Sequence, residues 1–282
     1  MAKSKEVAVL DKHEVTPFGK TPSYLPTNVN TNTGMEELGK DDFKTPRIKL
    51  LQPLNPEIRS FQGKAIPGQF WHTGMNVDLT NKFRFVPIIA GKRVILWNPR
   101  DSGEGGILAF SRDAKTWQSG ADKIFKVKIN KGTKEVSWNT KKNVQQSGLT
   151  DWGSSDPDDS NSSPAAQLSY EYLVYLIDYS ELSPCVLGTF RTSIPNAKQF
   201  NTALLGIVKM GKPIQAVAVN CFAEETHEGK NIWHVPRFEL AGWAPEGLYK
   251  ITSELAERYA NYTVDYDNED VTTKPNGDEI PF

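Results

Sequence analysis

The sequence predicts a mainly β protein of α+β type: an OB-like antiparallel barrel with insertions, one internal helix and one C-terminal helix. Three observations carry this expectation. Short runs of β-branched and aromatic residues alternate with polar ones from about 65 to 192, and again from 214 to 240. One capped helical pattern interrupts them near 193–211. The order of strands, helix and hairpin is that of an OB-type barrel, and it also fits other small barrels.

Taken in order, residues 1–40 read as a disordered arm, with prolines at 17, 22 and 26, an Asn/Thr-rich run at 28–33 and no apolar periodicity. The folded domain is expected over 41–262. Phe43, Ile48, Leu50 and Leu51 lead into Ala65–Trp71, a first strand entered by a Pro-Gly turn. Lys82–Trp97 holds two extended runs, 83–86 and 93–97, with Phe83 and Phe85 on one side and Arg84 and Val86 on the other. Ser102–Gly106 is a glycine-rich loop, Ile107–Phe110 a short strand, and Lys123–Ile129 a strand with one basic face. Residues 150–165 form an acidic, Ser/Pro-rich insertion with little core content. Leu168, Tyr170, Tyr172, Val174 and Leu176 then alternate on a long strand, and Cys185–Thr192 returns antiparallel to it. Ser193 caps a helix with Pro195 in its first turn. Phe200, Leu204, Ile207 and Val208 share its apolar face, and Gly211 ends it. Ile214–Phe222 and Asn231–Leu240 make a hairpin about the turn 226–230. A last helix, Pro245–Tyr259, gathers Leu248, Ile251, Leu255 and Tyr259.

With 33 Lys+Arg against 34 Asp+Glu the chain is nearly neutral, which alone would argue against a nucleic-acid binder. Resolved along the chain, the balance is segregated. Residues 41–150 carry 19 basic and nine acidic side chains, a net of +10, whereas 151–264 carry eight and 14, a net of −6. The stretch 265–282 has six acids and one base, a net of −5. This pattern predicts a basic working surface and an acidic tail. Two cysteines, Cys185 and Cys221, make no disulfide framework, no apolar leader follows Met1, and no run approaches bilayer length. The expectation is a soluble cytoplasmic protein with no membrane contact.

Catalytic signatures are sparse. No His-x-x-x-His or Cys-x-x-Cys pair occurs, and Gly103–Gly106 lacks the Lys-Ser/Thr of a phosphate loop. Cys221, His227 and His234 could approach across the last hairpin as three zinc ligands, but the preferred reading is ordinary strand and turn residues. Asp156–Asp159 could hold a divalent cation, and is read instead as a solvated loop. No enzyme activity and no cofactor are expected.

The basic middle is also rich in aromatic side chains. Single-stranded nucleic acid requires both kinds of group: cations to follow phosphates and flat rings to stack on bases. The residues proposed for this role are Trp71, Lys82, Phe83, Arg84, Phe85, Lys92, Arg93, Trp97, Arg100, Arg112, Trp117, Lys126 and Lys128. The competing reading makes the rings core and the bases solubilising.

Residues 263–282 read as a disordered acidic tail finishing in Asp278-Glu279-Ile280-Pro281-Phe282. This resembles the tip of bacterial single-stranded DNA-binding proteins, Asp-Asp-Asp-Ile-Pro-Phe, with Glu279 replacing one Asp. The resemblance covers only these residues, and the layout of basic aromatic domain plus acidic tail is similar to phage-encoded single-stranded DNA-binding proteins. It implies a phage protein in the host cytoplasm that coats single-stranded DNA during replication, recombination or repair. Asp278, Glu279, Ile280, Pro281 and Phe282 would recruit replication or recombination partners, and the tail would compete with DNA for the basic surface. A strand-annealing or recombination-mediator protein would use the same surface. A metal-dependent DNA enzyme and a DNA-mimicking inhibitor are further alternatives. No oligomeric state is indicated.

Overall fold

The computed structural model describes residues 46–99, 102–103, 105–118 and 123–260; the arm 1–40, Arg100 and the tail 263–282 lie outside the described residues. The strands are β1 Arg47–Leu50, β2 Phe70–His72, β3 Val77–Asp78, β4 Lys82–Trp97, β5 Ile107–Ser111, β6 Ile124–Ile129, β7 Lys134–Asn139, β8 Ala166–Leu176, β9 Cys185–Phe190, β10 Val217–Glu228 and β11 Asn231–Trp243. The helices are α1 Pro56–Ser60, α2 Val144–Ser147, α3 Ile194–Lys209 and α4 Glu246–Arg258. The protein is mainly β. One sheet runs β11-β10-β4-β8-β9-β1-β2-β3, with β5 added to the far end of β4, and curls into a half-barrel. Among the described residues only the β1–β9 pairing in it is parallel. The sequence pattern missed β1, β3, β7 and the short helices α1 and α2.

Beyond Phe85 the strand β4 continues through Pro87 where two separate runs were expected. A register shift against β8 falls at Pro87/Ile89, and pairing with β10 stops at Phe85, so the missing proline N–H is tolerated there. Alternation along the strand divides its side chains between the two faces. Phe83 and Phe85 enter the first core, whereas Ile88 lies on the opposite face with Leu173 and Val186.

The first core is roofed by α3. Ala197, Phe200, Leu204 and Ile207 recur at helical spacing and are buried against Phe85, Tyr172 and Val219. Phe200 stacks on Phe238 with ring centroids 4.8 Å apart, and the Tyr172 hydroxyl donates to Asn201 Oδ1 at 2.9 Å. Val208, expected on this face, is exposed, while Ile207 beside it is buried. On the opposite face α4 lays Leu255, Ala256 and Tyr259 against Ile88, Leu173 and Val186. Thr252 is the fully buried residue of that helix, its hydroxyl turned back onto the Leu248 and Tyr249 carbonyls, and Ile251 points to solvent against expectation.

A second module is built on the far ends of β4 and β8. The β6–β7 hairpin lays Val127, Ile129, Val136 and Trp138 over Val94, Leu96, Ala109 and Ala166, with Trp117, Val144 and Leu149 closing the edges. Strict alternation leaves the other face of the hairpin wet.

Candidate nucleic-acid interface

The structure sorts the sequence-predicted site residues into distinct environments. Trp71, Phe83, Phe85 and Trp117 are at most 4% exposed and belong to the cores. Trp71 packs on Phe61, Phe70 meets Phe83 edge-on, and Trp117 lies under β6–β7. Alternation in Phe83-Arg84-Phe85 puts the two rings on one side, but α3 covers that side, and Trp71 and Trp117 are closed in separate clusters, so none of these four offers a face to a base. This corrects their assignment.

Arg93 is corrected for a different reason. It is buried, and its Nε lies 2.5 Å from Glu171 Oε2, while Arg47 Nη2 donates to Glu171 Oε1 at 2.9 Å. Burial pushes the Glu171 carboxyl pKa up, and the charges of Arg93 and Arg47 pull against it. The guanidinium is therefore committed to an internal ion pair between the two cores rather than to phosphate.

Arg84 is exposed but clamped by Asp178, whose carboxylate accepts from Arg84 Nε, Nη2 and backbone N–H. Hydrogen bonding from Arg84 holds Asp178 below the usual carboxylate range. Lys82 and Lys92 are exposed on β4. Trp97 is half-buried at the end of that strand, and the guanidinium of half-buried Arg112 stands 5.4 Å over the Phe110 ring. Lys126 and Lys128 project from the wet face of β6, as their alternation with Val127 and Ile129 predicted. Lys126 lies 3.6 Å from Glu135 across the hairpin. Arg100 and Asp278–Phe282 lie outside the described residues.

The module that carries Lys126 and Lys128 is where positive charge concentrates. Residues 105–149 hold nine basic and three acidic side chains. Lys115, Lys123, Lys131, Lys141 and Lys142 are exposed with them, and sequence reasoning had not singled these out. Asp113, one of the few acids, is exposed but hydrogen-bonded within its own loop. Burial raises its pKa, but hydrogen bonds from the Thr116 and Lys115 N–H groups and from the Ser111 and Thr116 hydroxyls outweigh this, and it falls to about 2. The density of Lys within 45 residues was the available signal; segment totals over 41–150 diluted it.

The acidic insertion folds onto this module. Lys134 grips both Asp156 and Asp158, and Asn130 Nδ2 donates to Asp156 Oδ2 at 3.2 Å. These carboxylates are thus occupied by an internal cation. The zinc alternative also meets the register. Cys221 is buried opposite Phe238, while His227 lies six residues further along β10 opposite Ile232, roughly 20 Å away at the rise of a strand. Instead, Glu225 bridges the histidines, 2.9 Å from His227 Nε2 and 3.6 Å from His234 Nε2. Among the described residues no group of three His, Cys, Asp or Glu side chains is placed to hold a metal ion.

A cavity of about 480 Å³ opens where the loop 66–69 meets β10 and β11, lined by Gly68, Gln69, Thr80, Asn81, Ala223, Glu225 and His234. Gly68 is required here. Its φ is +82°, and a Cβ would stand 2.7 Å from His234 Nε2. Among the described residues no helix is long and apolar enough to cross a membrane.

These features define a mainly β protein in which an acid-poor, lysine-rich strand pair is mounted on a curled sheet with its own core. The family model for Pam3 phage gp34-like protein matches residues 12–265, and the chain belongs to that family of phage proteins. No curated protein and no solved structure matches the chain.

Proposed function

We propose that this phage protein binds and coats single-stranded DNA without strong sequence preference, acting in phage replication, recombination or repair. The curved strand surface would work as an OB-like scaffold, and no bond is made or broken. The observation that carries the reading is the lysine-rich module: Lys126 and Lys128 project from the wet face of β6–β7, and Lys115, Lys123, Lys131, Lys141 and Lys142 are exposed elsewhere in the same segment. Cations spaced along exposed strands and loops follow a phosphate backbone and gain affinity by releasing its counterions. In this reading the stretch Asp278–Phe282 recruits partner proteins of the phage or host.

The test is an oligo-dT titration of the whole protein at several salt concentrations, read by intrinsic tryptophan fluorescence. Binding is expected to weaken steeply with salt. Reversing two phosphate contacts in K126E/K128E should lower affinity about tenfold and reduce the log–log salt slope by about 1.4. Absence of binding at low salt, or an unchanged slope in the double variant, would remove this surface from consideration.

A further inference from the structure

Trp152 is the most exposed large hydrophobic side chain among the described residues, with 73% of its surface open. It does not hang on a slack loop. The segment around it is anchored at Leu149 on one side and at Ala165 and Ala166 on the other, all buried in the core of the lysine-rich module. Between these anchors the Gly153 N–H donates to the Ser162 carbonyl at 2.7 Å, and the Ser155 N–H to the Ser163 carbonyl at 3.2 Å. The Ser154 hydroxyl donates to the Leu149 carbonyl at 2.9 Å and accepts from the Ala165 N–H at 2.9 Å. The Asp156 N–H donates to Ser162 Oγ at 3.0 Å. At Gly153 the two arms of the loop cross so closely that a Cβ would lie 3.3 Å from the Ser160 backbone. Lys134 then fastens the loop to the start of β7 through Asp156 and Asp158.

We infer that Trp152 is a base-stacking residue of the single-stranded DNA surface, and that the Lys134–Asp156–Asp158 ion pairs are positioning contacts that hold its loop against the module. This rests on the proposed DNA-binding reading. An indole kept in water by an ordered loop contributes nothing to either core, and its open π-face stacks on any base. The exposed Asp151 and Asp159 of the same loop turn phosphates away, so the loop addresses bases while the β6 lysines address the backbone. The two ingredients sought within single strands are therefore supplied by separate parts of one module.

The experiment compares W152A, W152F and D156N/D158N with the wild-type protein on oligo-dT and on an abasic oligonucleotide of equal length. W152A is expected to bind oligo-dT roughly tenfold more weakly, lose much of the fluorescence quenching and keep the wild-type salt slope. W152F should recover most of the affinity, and abasic DNA should bind wild type and W152A alike. D156N/D158N separates positioning from charge. Removing two negative charges from a basic surface would by itself tighten binding, whereas a loosened loop weakens it and diminishes quenching. Tighter binding by D156N/D158N overturns the positioning role. Unchanged affinity and quenching in W152A, with wild type still binding in a salt-dependent way, overturns the stacking role and leaves the DNA-binding reading standing. Failure of wild type to bind oligo-dT at low salt defeats both.

Discussion

Glu171 lies between Arg93 and Arg47 at the waist of the molecule, where β4 and β8 pass from one core to the other. Arg93 and Glu171 are both nearly inaccessible, so each depends on the other for its solvation. Removing the carboxylate strands a buried guanidinium, and such truncations cost about 3–5 kcal/mol. Glu171→Ala should therefore lower the urea midpoint by a corresponding amount without a change in the denaturant slope; a loss below about 1 kcal/mol would show the pair to be energetically neutral. In the sequence Arg93 follows Lys92 and precedes a run ending in Trp97, which looks like a phosphate contact. Its partner at 171 is set only by the β4–β8 register, which places Gly91, two residues before Arg93, opposite Glu171. Trp152 is the converse case. A lone Trp in a polar stretch was legible as a residue, but its exposure and its anchoring depend on Lys134 and Ser162, which local pattern does not reveal.

At the scale of elements, the edge strand β11 shows how the curl of the sheet is held. Gln52, just past β1, donates from Nε2 to the His234 carbonyl at 2.9 Å and accepts the His234 N–H on Oε1 at 2.9 Å. One side-chain amide thus makes both bonds of a strand pair and draws the two ends of the half-barrel together. Two residues on, Pro236 has no N–H, and its carbonyl accepts from Asn196 Nδ2 at 3.0 Å. An edge treated in this way is a poor template for another strand. Gln52→Ala removes the two hydrogen bonds to His234, worth about 1–3 kcal/mol together, along with a longer one to the Leu50 carbonyl, and should speed amide exchange at His234 while β8 amides keep their protection. Equal protection at His234 in wild type and variant would show the bridge to be dispensable. The strands at 168–176 and 185–190, the α3 stripe and the final hairpin were legible because period-2 and period-3.6 patterns run unbroken through them. β1 was not, because four residues paired to β2 and β9 are too short to display a period. The unity of β4 was hidden by Pro87, whose cost is removed by a register shift that only the neighbouring strand discloses.

Across the whole molecule, near-neutrality is a balance of separated parts: a lysine-rich module at 105–149 and an acidic stretch at 265–282 with six acids to one base. In the proposed reading the acidic stretch competes with DNA for the lysines. Such competition has a definite salt signature. Intramolecular ion pairs weaken as salt rises, so the competitor loosens while DNA binding itself also weakens, and the two trends partly offset each other in the intact chain. Deleting 265–282 should therefore tighten oligo-dT binding most at low salt and steepen the log–log slope, with the intact and shortened proteins converging near 0.5 M salt. K126E/K128E should blunt the effect of the deletion, because it removes part of the surface for which both ligands compete. Equal affinities of intact and shortened protein at low salt would mean that the acidic stretch does not meet the module. A gain in affinity that persists undiminished at high salt would mean that it obstructs DNA by bulk rather than by charge.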